Sequence, residues 1–167
     1  MKKILLLVLV AFSLNGCINY ENMFALDSDY MARRSQETRN FDSKNDKDIL
    51  SASAAVLQDL GYTLEESESK LGLITASKDR EAGSTAGRIM SMMVSGKDAV
   101  YDVKQKIYVN LVTTKSSNHG VNVRVGFARI IWDNRGEART EKVEDANIYK
   151  EFFDKLSQSI YLTANNI

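Results

Sequence analysis

Apolar and polar residues alternate most cleanly from Val103 to Leu111 and again from Val121 to Phe127. In the first run Val103, Gln105, Ile107, Val109 and Leu111 share one face, with Lys104, Lys106, Tyr108 and Asn110 between them. In the second, Val121, Val123, Val125 and Phe127 alternate with Asn122, Arg124, Gly126 and Ala128, and the run continues through Ile130-Ile131-Trp132. A period of two over such lengths predicts half-buried strands. The Ser/Asn/Gly composition of Lys115 to Gly120 predicts a hairpin loop between them. Asp133-Asn134-Arg135-Gly136 predicts a second turn, and Glu137 to Val143 a shorter, polar outer strand. Together these make an antiparallel meander.

The period changes to the helical one twice. Ile49, Ala52, Ser53, Val56, Leu57 and Leu60 form one stripe, which predicts a helix from Asp46 to Leu60. Ser43 with Asp46 supplies a capping box, and Gly61 a left-handed cap at the other end. Ile148, Phe152, Phe153, Leu156, Ile160 and Tyr161 form the second stripe, on a helix from Ala146 to Leu162 with Asp145 as its N-cap. Between them Tyr62–Ser67 and Leu73–Ser77 read as a hairpin turning at Ser69 to Gly72. Ser35–Phe41, rich in charge, reads as an edge strand. Two amphipathic helices need a shared apolar surface, and a half-polar antiparallel sheet offers one. The expected fold is α+β, a two-layer sandwich: an antiparallel sheet of about five strands with two amphipathic helices on one face.

Residues 81–99 break both periods. Ala82 to Gly87 is small and flexible, Ile89-Met90-Ser91-Met92-Met93-Val94 is apolar, and Ser95-Gly96 closes the segment. A loop carrying a short helix is expected. Two readings stay open: a lid packed on the sheet, or an adaptable methionine surface for an apolar partner or lipid.

The chain begins with a different pattern again. Lys2 and Lys3 precede the apolar run Ile4 to Phe12, which has the length of a signal-peptide core and is too short to span a bilayer. Leu14-Asn15-Gly16-Cys17 follows and contains the single cysteine. A lone cysteine excludes an intramolecular disulfide, so an exported domain here is stable without one. From Cys17 onward 151 residues remain, enough for one domain with a real core, and the loss of Lys2 and Lys3 leaves a net charge of −2. Without a basic block, nucleic acid is not an expected partner. Proline is absent, which argues against a rigid stalk.

Leu14-Asn15-Gly16-Cys17 resembles the lipobox of bacterial lipoproteins. In that family the cysteine thiol receives a diacylglyceryl group, the peptide is cut before it, and the new amine is often acylated with a fatty acid such as palmitate. The resemblance implies residues 1–16 as signal peptide, 17–32 as acylated cysteine and tether, and 33–167 as a single domain. Ile18, rather than aspartate, in second place implies outer-membrane delivery, facing the periplasm. The run Leu57-Gln58-Asp59-Leu60-Gly61-Tyr62, then Glu66-Ser67-Glu68, then Leu71-Gly72-Leu73-Ile74, resembles a module of uncharacterised bacterial outer-membrane lipoproteins. A related helix-hairpin occurs in BamC-type accessory lipoproteins of the outer-membrane protein assembly machine, which carry a second domain copy that this chain lacks.

Candidate chemistry is sparse. His119 is the sole histidine and sits in a turn, and no zinc spacing, nucleophile elbow, phosphate loop or dinucleotide fingerprint occurs. Neither a metal nor another cofactor is expected. Arg33, Arg34 and Arg39 near the tether, with Arg124, Arg129 and Arg135 on the meander, could meet phosphate or carboxylate groups if they share a face. The expected function is a membrane-anchored, non-enzymatic envelope lipoprotein, lipidated at Cys17 and acting as an accessory or interaction subunit with an envelope protein partner. Its candidate surface is Ile89, Met90, Met92, Met93 and Trp132. The alternative is a lipid or apolar-ligand carrier with residues 83–96 as lid. An enzyme built from dispersed carboxylates is the third reading.

Overall fold

The computed structural model describes residues 28–43, 45–117 and 120–164, and the chain divides into Met1–Tyr30 and a unit Met31–Ile167. In chain order the elements are α1 (Tyr30–Gln36), β1 (Thr38–Phe41), α2 (Asp46–Asp59), β2 (Thr63–Glu68), β3 (Leu73–Glu81) and α3 (Thr85–Ser95). A 3₁₀ turn at Gly96–Asp98, β4 (Asp102–Lys115), β5 (Val121–Asp133), β6 (Ala138–Lys142) and α4 (Ala146–Ala164) follow.

The long strands β4 and β5 run antiparallel with Val109 opposite Phe127 and Leu111 opposite Val125. All strand pairs are antiparallel, and the main order is β1-β5-β4-β3-β2. The second edge of β5 is shared: β1 takes residues 121–124 and β6 takes residues 128–132. The sheet therefore has six strands, five in the main order and β6 beside β1 on the same edge of β5. The predicted edge strand Ser35–Phe41 is confined to its last residues. Ser35 and Gln36 belong instead to α1, where the Ser35 hydroxyl donates to the Ala32 carbonyl at 2.7 Å.

α2 and α4 lie together on one face, as the sandwich requires. Ile49, Val56 and Leu57 of α2 join Phe152, Phe153 and Leu156 of α4 in one cluster with Ile74, Val109, Leu111, Val123 and Val125. At about 25 cal/mol per Å², burial of this set is the main stabilising term. Phe127 meets Tyr149 and Phe152 edge-on, with ring centres 5.4 and 5.9 Å away.

Local signals set the ends of the helices. α2 starts at Asn45, whose side chain accepts from the Lys47 amide at 3.1 Å; Ser43 instead bonds the backbone of Asn45, so the expected Ser43–Asp46 box is not the cap. It stops in a Schellman turn: Gly61, at φ +80°, donates to the Gln58 carbonyl, and Tyr62 to that of Leu57. On α4 the Asp145 carboxylate accepts from the Asn147 amide at 2.9 Å. The buried stripe is Tyr149, Phe152, Phe153 and Leu156, whereas Ile148 and Tyr161 are exposed. Tyr149 was absent from the predicted face. It can be buried because its hydroxyl donates to the Val143 carbonyl at 2.6 Å.

Candidate functional site: two exposed apolar surfaces

Cys17 and His119 lie outside the described residues. The remaining predicted residues fall on two separate surfaces.

The first is α3. Ser84 caps it, accepting from the Gly87 amide at 3.0 Å, and Gly96 at φ +59° ends it. Ala86, Ile89, Met90 and Met93 repeat at i, i+3, i+4 and i+7, with Met92 and Val94 widening the stripe. In a surface helix such a stripe faces the core. Here it faces out: Met90, Met93 and Val94 are 63, 78 and 79 % exposed, and no residue of the helix is buried. The least exposed positions are Arg88 and Ser91. They line, with Gly87, a shallow depression of about 280 Å³ closed on its other side by Val100, Tyr101 and Asp102. Arg88 donates to the Ala82 carbonyl at 3.1 Å, while its Nε is buried without a partner. The helix is thus held by its polar side and turns its apolar side to solvent. A lid packed on the sheet, one of the two open expectations, does not describe this arrangement.

The second surface is the sheet face opposite α2 and α4. The period-two pattern puts Leu73, Tyr108, Val112, Ile130 and Trp132 there, all half-buried, with Lys106 opposite Ile130 and Lys104 opposite Trp132. Among the described residues no helix packs on this face, so these side chains bury one another along the strands. Lys104 Nζ lies 5.5 Å from the Trp132 ring centre and Lys106 Nζ 5.3 Å from that of Tyr108. Lys106 also approaches Glu65 at 3.4 Å, and the Ser77 hydroxyl donates to the same carboxylate at 2.6 Å. The Ser77 bond first, and Lys106 after it, hold the Glu65 carboxyl below its usual range. Trp132 is therefore a half-buried member of this sheet face.

The arginines do not converge. Arg39 pairs with Asp154 at 3.2 Å and stacks on Phe153; Arg33 approaches Glu144 at 3.9 Å. Arg129 pairs with Glu141 at 2.7 Å, and Arg135 donates to the Asp98 carbonyl. Arg124 is exposed on the helix-free face. Arg139, unremarked in the sequence, makes the best-formed ion pair: two bonds to Asp102 at 2.6 and 2.7 Å and one to Glu141 at 2.9 Å. These bonds hold both carboxyls below their usual range, and they tie β6 to the start of β4.

Sequence reasoning also missed a groove of about 250 Å³ where α2 ends over the sheet. Tyr62, Ile107, Phe127, Ile148 and Phe152 line it, with Lys78, Arg80 and Glu151 at its rim. Its lining comes from segments far apart in the chain, so only the folded chain assembles it. Lys78 is committed there, donating to the Leu60 carbonyl at the C-terminus of α2 at 2.6 Å. Burial pushes the Tyr62 phenol up. Among the described residues no three His, Cys, Asp or Glu side chains come together to hold a metal, and no helix is long and apolar enough to cross a membrane. No protein-family model and no curated protein matches the chain.

Proposed function

We propose that this chain is a bacterial envelope lipoprotein, anchored through lipid on Cys17, that serves as a non-enzymatic accessory subunit by binding an envelope protein. The observation that carries the proposal is the signal-type apolar run ending in Leu14-Asn15-Gly16-Cys17. Two or three acyl chains on that cysteine give stable membrane attachment, where one gives only marginal binding. Support for the binding role comes from the sheet face opposite α2 and α4, where Tyr108, Ile130 and Trp132 stand between lysines and no helix among the described residues covers them. Tyrosine and tryptophan in such a setting suit the centre of an interface.

The carrier reading has less support. It requires an apolar cavity of a few hundred Å³ beneath the methionine segment, whereas the depression of about 280 Å³ under α3 is lined by Arg88, Ser91 and Asp102 and the methionines face outward.

The test is the intact mass of protein extracted from native membranes. A diacyl or triacyl mass on a chain starting at Cys17 is expected, with release of the Cys17→Ser chain from membranes. An unacylated mass contradicts the anchor. For the partner, a photo-reactive residue at position 132 should capture one protein of defined mass, while the same residue at position 115 should not. Equal labelling from both positions contradicts the assigned face.

A further inference from the structure

We infer that α3 is a second membrane contact: its outward stripe lies in the interfacial layer of the lipid bilayer that holds the Cys17 anchor. The inference rests on the lipoprotein reading and adds a surface to it.

Three observations lead there. The first is the inverted packing. A helix that only closed a loop would bury its methionines, yet Met90, Met92 and Met93 are exposed and the least exposed positions of the helix are Arg88 and Ser91. Six of the ten large apolar residues exposed among the described residues are gathered here: Ile89, Met90, Met92, Met93, Val94 and the neighbouring Val100. A helix of this length with no buried face is marginal in water and gains stability from an apolar medium on one side.

The second is charge. From Ser84 to Gly96 the only ionisable side chain is Arg88, on the domain side, and the exposed pair Lys97-Asp98 follows. An acidic residue in that stretch would be repelled by an anionic leaflet, and none is present. A protein groove with specific polar needs would call for polar groups within the stripe; between Ile89 and Val94 the one polar residue, Ser91, is on the domain side. Unbranched methionines adapt to a disordered apolar medium.

The third is reach. α3 leads by a short 3₁₀ turn into the start of β4, which pairs with the end of β5 at Asp133. β1, where the described chain enters the sheet, pairs with β5 at Arg124. Nine residues of strand separate the two points, about 30 Å. Residues 18–29 can span up to about 40 Å, which covers that distance together with the roughly 10 Å of α1 that stands between them and β1. One leaflet can therefore hold the acyl chains and α3 together, which fixes the domain's orientation and leaves the helix-free sheet face to a partner.

Site-directed spin labelling tests this on the acylated full chain in vesicles of phosphatidylethanolamine and phosphatidylglycerol. Acylation blocks the single native thiol, so Met93→Cys and Lys115→Cys each take one label. Bilayer contact predicts that the label at 93 is several-fold less accessible to a water-soluble nickel chelate on vesicles, and more accessible to oxygen, than the label at 115. A label at 93 as wet as that at 115 overturns the second contact while the anchor stands. Shielding at 93 that persists without vesicles and grows with protein concentration overturns it in favour of a second copy of the chain. Two labels per chain show Cys17 to be unmodified, which removes the anchor and the contact built on it.

Discussion

α2 and α3 are both short amphipathic helices capped by a polar side chain at one end and followed by a positive-φ glycine at the other. α2 presses Ile49, Val56 and Leu57 onto the sheet beside α4. α3 turns Arg88 and Ser91 toward the body and leaves Met90 and Met93 outside. The two helices differ in what covers the apolar stripe, not in whether they have one. A stripe says that a helix has a side to hide; its own domain is only one of the places to hide it.

The largest effect expected from breaking this contrast is in the body. Phe152→Ala removes a ring packed against Phe127 and Phe153 and should cost about 3–5 kcal/mol, read from denaturant unfolding. Gly72→Ala comes next. Gly72 holds φ +65°, and an added Cβ would stand 2.7 Å from the Thr113 carbonyl oxygen and closer still to the Thr113 hydroxyl. A loss of about 1–3 kcal/mol is expected in the same assay, because the turn cannot move without breaking the Thr113 amide bond to the Gly72 carbonyl.

Acid should act on the body and spare α3. The Ser77 and Lys106 bonds to Glu65, the Arg139 bond to Asp102, the Arg139 and Arg129 bonds to Glu141, and the Lys150 and Arg39 bonds to Asp154 all depress carboxylate pKa values. A depressed native pKa means that the unfolded chain binds more protons at intermediate pH. The stabilisation is therefore fully present above the ordinary carboxylate pKa of about 4 and is lost as pH falls through the lower native values. Thermal melts should be flat near neutrality and drop in that acid window. Arg139→Gln should shrink the drop, and an unchanged profile would show these pairs to be idle. The smallest effect on folding belongs to α3: Met90→Ser with Met93→Ser should change stability by no more than about 0.5 kcal/mol, since neither side chain is buried.

The sandwich was legible because its strands and two of its helices obey simple periods, and because Gly61 and Asp145 terminate α2 and α4 as their chemistry requires. Tyr149 was not legible, since its place inside depends on the Val143 carbonyl reaching its hydroxyl. The Arg139 pairs and the groove beside Tyr62 depend on residues far apart in the chain that only the sheet register aligns. For α3 the residues were identified but their direction was not. Direction follows from Arg88 bonding the Ala82 carbonyl, a contact that does not show in a hydropathy pattern.

Amide hydrogen exchange tests the contrast between the helices most directly, measured on the acylated protein in vesicles and on the Cys17→Ser chain in solution. The amides of Ile89–Val94 should exchange quickly in solution and slow markedly on vesicles, while those of α2 and α4 stay slow in both. Slow exchange of α3 in solution, or no change on vesicles, would contradict a helix whose apolar face is completed from outside the fold.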